Sequence, residues 1–340
     1  MNILFRCDGS VEVGMGHVVR CLALAEELQS AHNCVITFAV RTSVLGIEKI
    51  ARSFQVIIPP DQSGEFNYEQ WLIESITRTN ASILILDVRD NLSGEAVRQI
   101  KTVTGVKVVT IDDPENKRCE ADLALYPPVP QVKLMDWSGF QGMLLSGWEY
   151  VILRREFLQP HTKIKNIVPN ILLSMGGTDP NNITGFVVNC LKKLRGNFTA
   201  TIIKGKGFRF NNELLQSLES SSLQYHLLTE PDNIAQAMAN SDFAVISFGQ
   251  TAYELAALRI PAIYLCLTPD HHASAQIFES QNFGTSVGVL NEITENQVQE
   301  KIETFLEHCA NNQPLLKDNY RPDIANMQVI ASHIINLIHE

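Results

Sequence analysis

Three times in this 340-residue chain a short apolar run breaks into a glycine-containing turn and then into a helical period. Asn2–Cys7 leads into DGSVEVGMGHVVR, Ile171–Ser174 into SMGGTDP, and Phe243–Ser247 into SFGQTAYE. Parallel strands cannot be joined by a tight hairpin and need a crossover, usually a helix. A chain that repeats strand, turn and helix is therefore held to a mostly parallel sheet covered by helices on both faces.

The pattern extends beyond the three motifs. In the first half, Gly16–Gln29 has helical spacing, with Val19, Leu22, Ala25 and Leu28 on or near one face. Asn33–Val40, Ile83–Asp87 and Val106–Asp112 read as strands, and Gly94–Thr102 as a helix. After the polar stretch Gln159–Asn166, read as a linker, the alternation restarts. Helices are expected at Asn181–Leu194, Asn233–Asn240 and Thr251–Leu258, with strands at Thr199–Lys204 and Ala262–Leu267. An amphipathic helix over Ile324–Ile338 follows a break at Tyr320–Pro322 and can pack on either half. The expected division is residues 1–158, 167–322 and a terminal helical segment, 323–340. A chain this long exceeds what one hydrophobic core usually serves. No short repeat is visible, so the halves are related by fold only.

Charge and cysteine usage narrow the partners. The formal net charge is -10, which argues against a nucleic-acid backbone or an anionic membrane surface. A small anion remains possible, because a local nest of backbone N–H groups binds phosphate inside an acidic protein. No run is long and apolar enough to span a membrane. The N-terminus enters a strand and carries no signal-peptide pattern. The seven cysteines are scattered, with no C-x-x-C pair, which fits reduced thiols and a cytoplasmic setting. Neither a zinc site nor any cofactor is expected.

In Asp8–Arg20, Gly14 and Gly16 let backbone approach a ligand, and the following helix points its positive N-terminus at the turn. The spacing is not the dinucleotide fingerprint, since Val19 stands where the third glycine belongs. His17 is either a general base at the carboxyl edge of the sheet or a capping and packing residue. Arg20, one turn on, either shares its ligand or is a solvated surface cation. In the second motif Gly176, Gly177 and Thr178 form a nest for phosphate or sugar oxygens, or Thr178 or Asp179 caps a helix with Pro180 at its first position. In the third, Ser247, Gly249, Gln250 and Thr251 present a strand end and N–H groups to a diphosphate. Glu254 there either accepts from ribose hydroxyls or merely suits the helix dipole. A fourth stretch, Asp270–Gln276 (DHHASAQ), follows the strand that ends at Leu267, with Thr268–His272 read as a loop, and its adjacent His271 and His272 cannot easily share a metal. Asp87 and the Asp112–Asp113–Pro114 turn either line a ligand pocket or cap helices and turns. There is no D-x-D, no P-loop and no G-x-S-x-G elbow.

These residues carry a resemblance. Arg6–Ala25 (RCDGSVEVGMGHVVRCLALA), Ser146–Phe157 (SGWEYVILRREF), Ser174–Asp179 and Ser247–Leu255 resemble the UDP-2,4-diacetamido-2,4,6-trideoxy-β-L-altropyranose hydrolases of the pseudaminic acid pathway. Spore-coat polysaccharide synthesis proteins belong to the same family. The likeness spans nearly the whole chain, and its glycine turns are shared with the wider glycosyltransferase-B group. It implies two Rossmann-like domains facing across a cleft, with UDP held mainly by the second and the C-terminal helix packing back on the first. It implies that His17 is the catalytic histidine, that Arg6 and Asp8 belong to the binding set, that Glu254 meets the uridine ribose, and that the turns at Gly177 and Gly249 meet the diphosphate. The family tends to carry Asn-Gln where this chain reads Thr268-Pro-Asp-His-His, so His271 enters the binding set at a place where the sugar pocket differs.

The expected reaction is metal-independent hydrolysis of a UDP-linked diacetamido-trideoxy sugar with inversion at the anomeric carbon. Its setting would be nonulosonic acid or surface polysaccharide biosynthesis, and the protein a monomer or weak homodimer. The alternative is a metal-independent glycosyltransferase that uses the same kind of donor.

Overall fold

A computed structural model describes residues 1–9, 14–41, 44–60, 66–163, 166–177, 179, 181–205, 212–229, 231, 233–315 and 323–339. The chain forms two compact units. One is built from Met1–Arg154 together with Asp323–Glu340, the other from Arg155–Pro322.

The first unit runs β1 (Asn2–Cys7), α1 (Gly16–His32), β2 (Val35–Ala39), α2 (Val44–Ile50), β3 (Gln55–Ile57), α3 (Tyr68–Thr79), β4 (Ile83–Asp87), α4 (Gly94–Thr104), β5 (Lys107–Ile111), β6 (Leu123–Tyr126) and β7 (Met143–Ser146). All seven strands are parallel, in the order β3-β2-β1-β4-β5-β6-β7. The winding reverses between β1 and β4, so the loops leaving those two strands diverge and open a crevice at their carboxyl ends. β1 and β4 are almost wholly buried, as a strand covered by helices on both faces must be. β7 is different. It lies at the sheet edge with Met143 and Leu144 exposed, and an alternation so short gives little periodic signal.

The second unit contains β8 (Asn170–Ser174), α5 (Ile183–Lys193), β9 (Thr199–Lys204), α6 (Asn212–Glu219), β10 (Gln224–Thr229), α7 (Ile234–Ala239), β11 (Phe243–Ser247), α8 (Gln250–Ala257), β12 (Ala262–Cys266), α9 (Pro269–Ser280), β13 (Gly284–Val289) and α10 (Glu295–Ala310). Its six strands, again parallel, follow β10-β9-β8-β11-β12-β13, with the reversal between β8 and β11. Both units are therefore doubly wound α/β sheets, as the alternation in the sequence predicts.

Two expectations about the joints change. The polar stretch Gln159–Asn166 lies inside the second unit, because its polar groups are spent there. His161 Nε2 meets the Glu156 carbonyl at 2.6 Å, Gln236 Nε2 donates to the Thr162 carbonyl at 2.9 Å, and Asn166 Nδ2 donates to Asp242 Oδ2 at 2.9 Å. The last helix, α11, covers Met327–Asn336 rather than Ile324–Ile338, because the Asn326 side chain accepts from Val329 N at 3.1 Å and sets its start. Met327, Ile330, Ala331, Ile334 and Leu337 join Val18, Cys21, Leu22 and Ala25 of α1 in the first unit's core. Just ahead of α11, Ala325 N donates to the Trp148 carbonyl at 2.9 Å and Asn326 N to that of Glu149 at 2.8 Å.

Candidate functional site

In the first unit the polar residues gather at the switch point. His17, the second residue of α1, stands where β1 has ended, and Asp87 ends β4, the neighbouring strand. Their side chains meet, with His17 Nδ1 2.6 Å from Asp87 Oδ1. Arg20, one turn along α1, grips the same carboxylate with Nε on Oδ2 and Nη2 on Oδ1, both at 2.6 Å. Its Nη1 reaches Asp112 Oδ2 at 3.2 Å, and Asp112 also meets Arg89 at 3.4 Å. Burial alone would push the Asp87 carboxyl up, but Arg20 and then His17 outweigh it and hold it far below the usual carboxylate range. Burial likewise opposes the Arg20 charge, and Asp87 outweighs it, so this cation is held charged more firmly than an exposed one. Arg20, 12% exposed and held by two carboxylates, is thus not a solvated surface residue. Asp87 is 1% exposed and faces α1, where His17 and Arg20 take up its carboxylate.

Arg6 is wholly buried and serves a second network behind the turn. Nε donates to the Tyr68 hydroxyl at 2.5 Å, and Nη2 donates to Asp8 Oδ2 at 2.6 Å and Asp90 Oδ2 at 2.8 Å. The other oxygen of Asp8 accepts from Arg41 N at 2.8 Å. Arg6 therefore fixes Asp8 and the exit of β1 rather than reaching a ligand itself. Tyr68, Asp90 and Arg41 escape sequence reading because they lie 62, 84 and 33 residues from the groups they bind.

Among the described residues the opening of α1 is uncapped: no side chain caps it, no acidic residue lies in its first turn, and β-carbons on Gly14 and Gly16 would meet nothing within 4 Å. Gly14 has φ +81°, a conformation glycine adopts at little cost. By contrast α3, α4, α7, α9, α10 and α11 are each closed by an Asn, Ser or Thr side chain at the cap.

In the second unit the two turns at the switch point differ. After β8, Gly176 has φ +83° and faces open space. The backbone of Gly177 lies so close to Gly205, just past β9, that a β-carbon on Gly205 would come within 2.4 Å of the Gly177 carbonyl oxygen. Thr178 and Pro180 lie outside the described residues. Asp179 is the cap, because its carboxylate accepts from Ile183 N at 2.8 Å and Thr184 N at 2.9 Å. The N–H groups that open α5 are thereby spent on a fixed negative charge. After β11, Ser247 leads through Gly249 into α8, which has neither a side-chain cap nor a first-turn acid. Space above Gly249 is open, and Gln250 and Thr251 begin the helix half-buried. An uncapped N-terminus of this kind attracts anions. Glu254 lies 4% exposed on the same helix.

The Thr268–His272 segment is not a loop but the start of α9. Thr268 accepts from His271 N at 3.1 Å and Pro269 takes the first turn, the ordinary signals of a helix start. Helical geometry splits the two histidines. The His271 ring lies 6.0 Å from that of Phe248, beside the Gly249 turn, whereas His272 Nδ1 meets Ser286 Oγ of β13 at 2.9 Å.

No protein-family model matches the chain. Among known proteins it is 29% identical over 277 residues to an uncharacterized protein of Methanocaldococcus jannaschii, covering 78% of this chain and 55% of that one; it thus spans about half of that relative's length. It is 24% identical over 299 residues to the spore coat polysaccharide biosynthesis protein SpsG of Bacillus subtilis, covering 85% and 84% of the two chains. It is 27% identical over 278 residues to the UDP-2,4-diacetamido-2,4,6-trideoxy-β-L-altropyranose hydrolase of Campylobacter jejuni, covering 81% and 95%. Among solved structures, Acinetobacter baumannii MurG superposes with a TM-score of 0.67 at 15% identity over 98% of this chain and 99% of that one. The UDP-GlcNAc 2-epimerase of Neisseria meningitidis does so with a TM-score of 0.63 at 12% identity over the whole of both. The chain has the glycosyltransferase-B fold.

Proposed function

We propose that the protein is a nucleotide-sugar enzyme of polysaccharide biosynthesis and that it hydrolyses a UDP-linked diacetamido-trideoxy sugar at the anomeric C–O bond, with inversion. The observation that carries this reading is His17, set in the first turn of α1 at the sheet's switch point and hydrogen-bonded to a buried carboxylate. The relationship to the Campylobacter hydrolase supports the substrate class, and that to SpsG the polysaccharide setting.

A nucleoside diphosphate is a good leaving group, so the acid that ordinary glycosidases place against the leaving oxygen is dispensable. Water attacks the anomeric carbon and gives its proton to His17. The C–O bond breaks with its electron pair passing to the β-phosphate oxygen, and UDP departs. The uncapped α8 N-terminus at Gly249–Thr251 is the anion site for the diphosphate, with the Gly176–Gly177 turn beside it in the sheet. Asp179, which already fills the start of α5, makes that helix the weaker of the two. Glu254 reaches the ribose in this reading, and His271 the sugar side. No nucleic-acid or membrane partner is invoked.

A sugar acceptor in place of water is the second reading, favoured by the fold shared with MurG. Incubation with a panel of UDP- and CMP-linked diacetamido sugars, with and without acceptor, separates the two. UDP release without acceptor is the expected result; release only with acceptor refutes hydrolysis. His17→Ala is expected to keep UDP binding and lose turnover, and near-normal turnover by that variant removes His17 as the base.

A further inference from the structure

The carboxylate behind His17 has only one part to play in this arrangement, and its geometry sets the ring's chemistry. Asp87 is held at both oxygens: Arg20 Nη2 donates to Oδ1, against which His17 Nδ1 also lies, and Arg20 Nε and Cys21 Sγ donate to Oδ2, the sulfur at 3.4 Å. The bidentate grip of Arg20 fixes the plane of the carboxylate. One lone-pair direction on Oδ1 then points at the imidazole. Arg20 Nη2 also lies 3.2 Å from His17 Nδ1, so a ring that accepted there from Arg20 has to be considered. That ring would set the Nδ1 lone pair against a carboxylate oxygen at 2.6 Å, two acceptors with no proton between them. The short contact is stable only if Nδ1–H donates.

We propose that Asp87, locked by Arg20, is the positioning residue that holds His17 as its Nδ1–H tautomer, so that the lone pair resides on Nε2. The catalytic part of this inference rests on His17 being the base, as proposed above; the tautomer does not. Three consequences follow from the same contacts. The ring cannot turn over without losing a charge-assisted bond. The proton taken from water arrives on Nε2, and the imidazolium so formed is balanced by an anion that stays anionic. Arg20 acts through Asp87.

The test begins with the wild-type protein labelled with 15N at histidine, at a pH where the rings are neutral and without substrate. His17, assigned by its disappearance in His17→Ala, is expected to show a protonated Nδ1 and a bare Nε2; a protonated Nε2, or an average of both forms, overturns the proposal. The second arm is Asp87→Asn. Arg20 donates to both carboxylate oxygens, so the amide N–H2 opposes one of its N–H groups in either orientation, and His17 loses both the fixed carboxylate plane and the anion that balances its imidazolium. Turnover is expected to fall roughly 10³- to 10⁴-fold, with KM changed less than about threefold because the substrate contacts remain. In a His17→Ala background the same substitution is expected to change the residual rate by less than about twofold. A merely structural Asp87 would lower both backgrounds alike, and that result overturns the proposal. If Asp87→Asn fails to fold, the wild-type spectrum still decides. Undiminished turnover in His17→Ala would overturn the functional reading alone.

Discussion

Replacing Arg6 with methionine removes a charge from a place that water does not reach while keeping most of the stem's volume. Four hydrogen bonds go with it, to Tyr68, Cys7, Asp8 and Asp90. Two carboxylates lose the cation that joins them. Breaking a fully buried ion pair by removing one partner costs about 3–5 kcal/mol. Here the Asp8 and Asp90 side chains keep 21% and 17% of their surface in water and rehydrate in part, which brings the figure to about 3 kcal/mol. At roughly 2–4 °C per kcal/mol for a domain of ~150–250 residues, the first unit should melt about 6–12 °C lower. Scanning calorimetry reads this directly, with Arg98→Met as control. Arg98 also pairs with a carboxylate, Glu120, but 68% of its side chain is in solvent, so its loss should leave the melting temperature where it was. An Arg6→Met protein that melts within a degree of wild type would refute the idea that this cation holds the β1 exit together.

Asp179→Ala removes the carboxylate that closes α5 and should cost the second unit about 1 kcal/mol without weakening UDP binding in a calorimetric titration; a tenfold loss of affinity at unchanged melting temperature would place Asp179 on the ligand. Gly205→Ala forces a β-carbon against the Gly177 carbonyl and should cost about 1–3 kcal/mol, with UDP binding lost alongside; normal melting and normal binding would show that the close approach is idle. Because the folded protein lowers the Asp87 pKa, that group stabilises above its unfolded value of about 3.9 and the contribution is lost as pH falls below it. Wild type should therefore lose stability between about pH 5 and pH 2 more steeply than Asp87→Asn, and parallel curves would deny Asp87 that part.

Much of the frame was legible because it depends on local pattern. β1, β4, β9 and β11 begin and end where their apolar runs do. They are central strands, so nearly every position reports the same burial. The edge strand β7 is illegible because four half-exposed residues give no clean period, whereas α3 carries Tyr68, Trp71, Leu72 and Ile76 at helical spacing and was open to reading. The start of α9 was misread although Thr268 and Pro269 both announce it; two histidines drew attention to themselves and away from the cap. At the site, the glycines and His17 were visible as a motif, while the meaning of Asp87 and Arg20 was not. A carboxylate at a strand end and an arginine on a helix each have several ordinary explanations. Only the fold, which sets β4 beside β1, brings residues 67 positions apart to 2.6 Å and turns two unremarkable side chains into a clamp.

The return of α11 to the first unit has a consequence for synthesis. Residues 155–322 form their unit from one uninterrupted stretch, whereas the first unit draws on residues that follow that stretch. As the chain grows from its N-terminus, the unit that begins first is completed second. Until Met327–Leu337 arrives, the part of α1 that this segment covers stays open through the whole translation of the second unit. That face is the same helix whose opening carries His17. The nascent protein thus has its second unit finished while its first still waits for the tail that closes it.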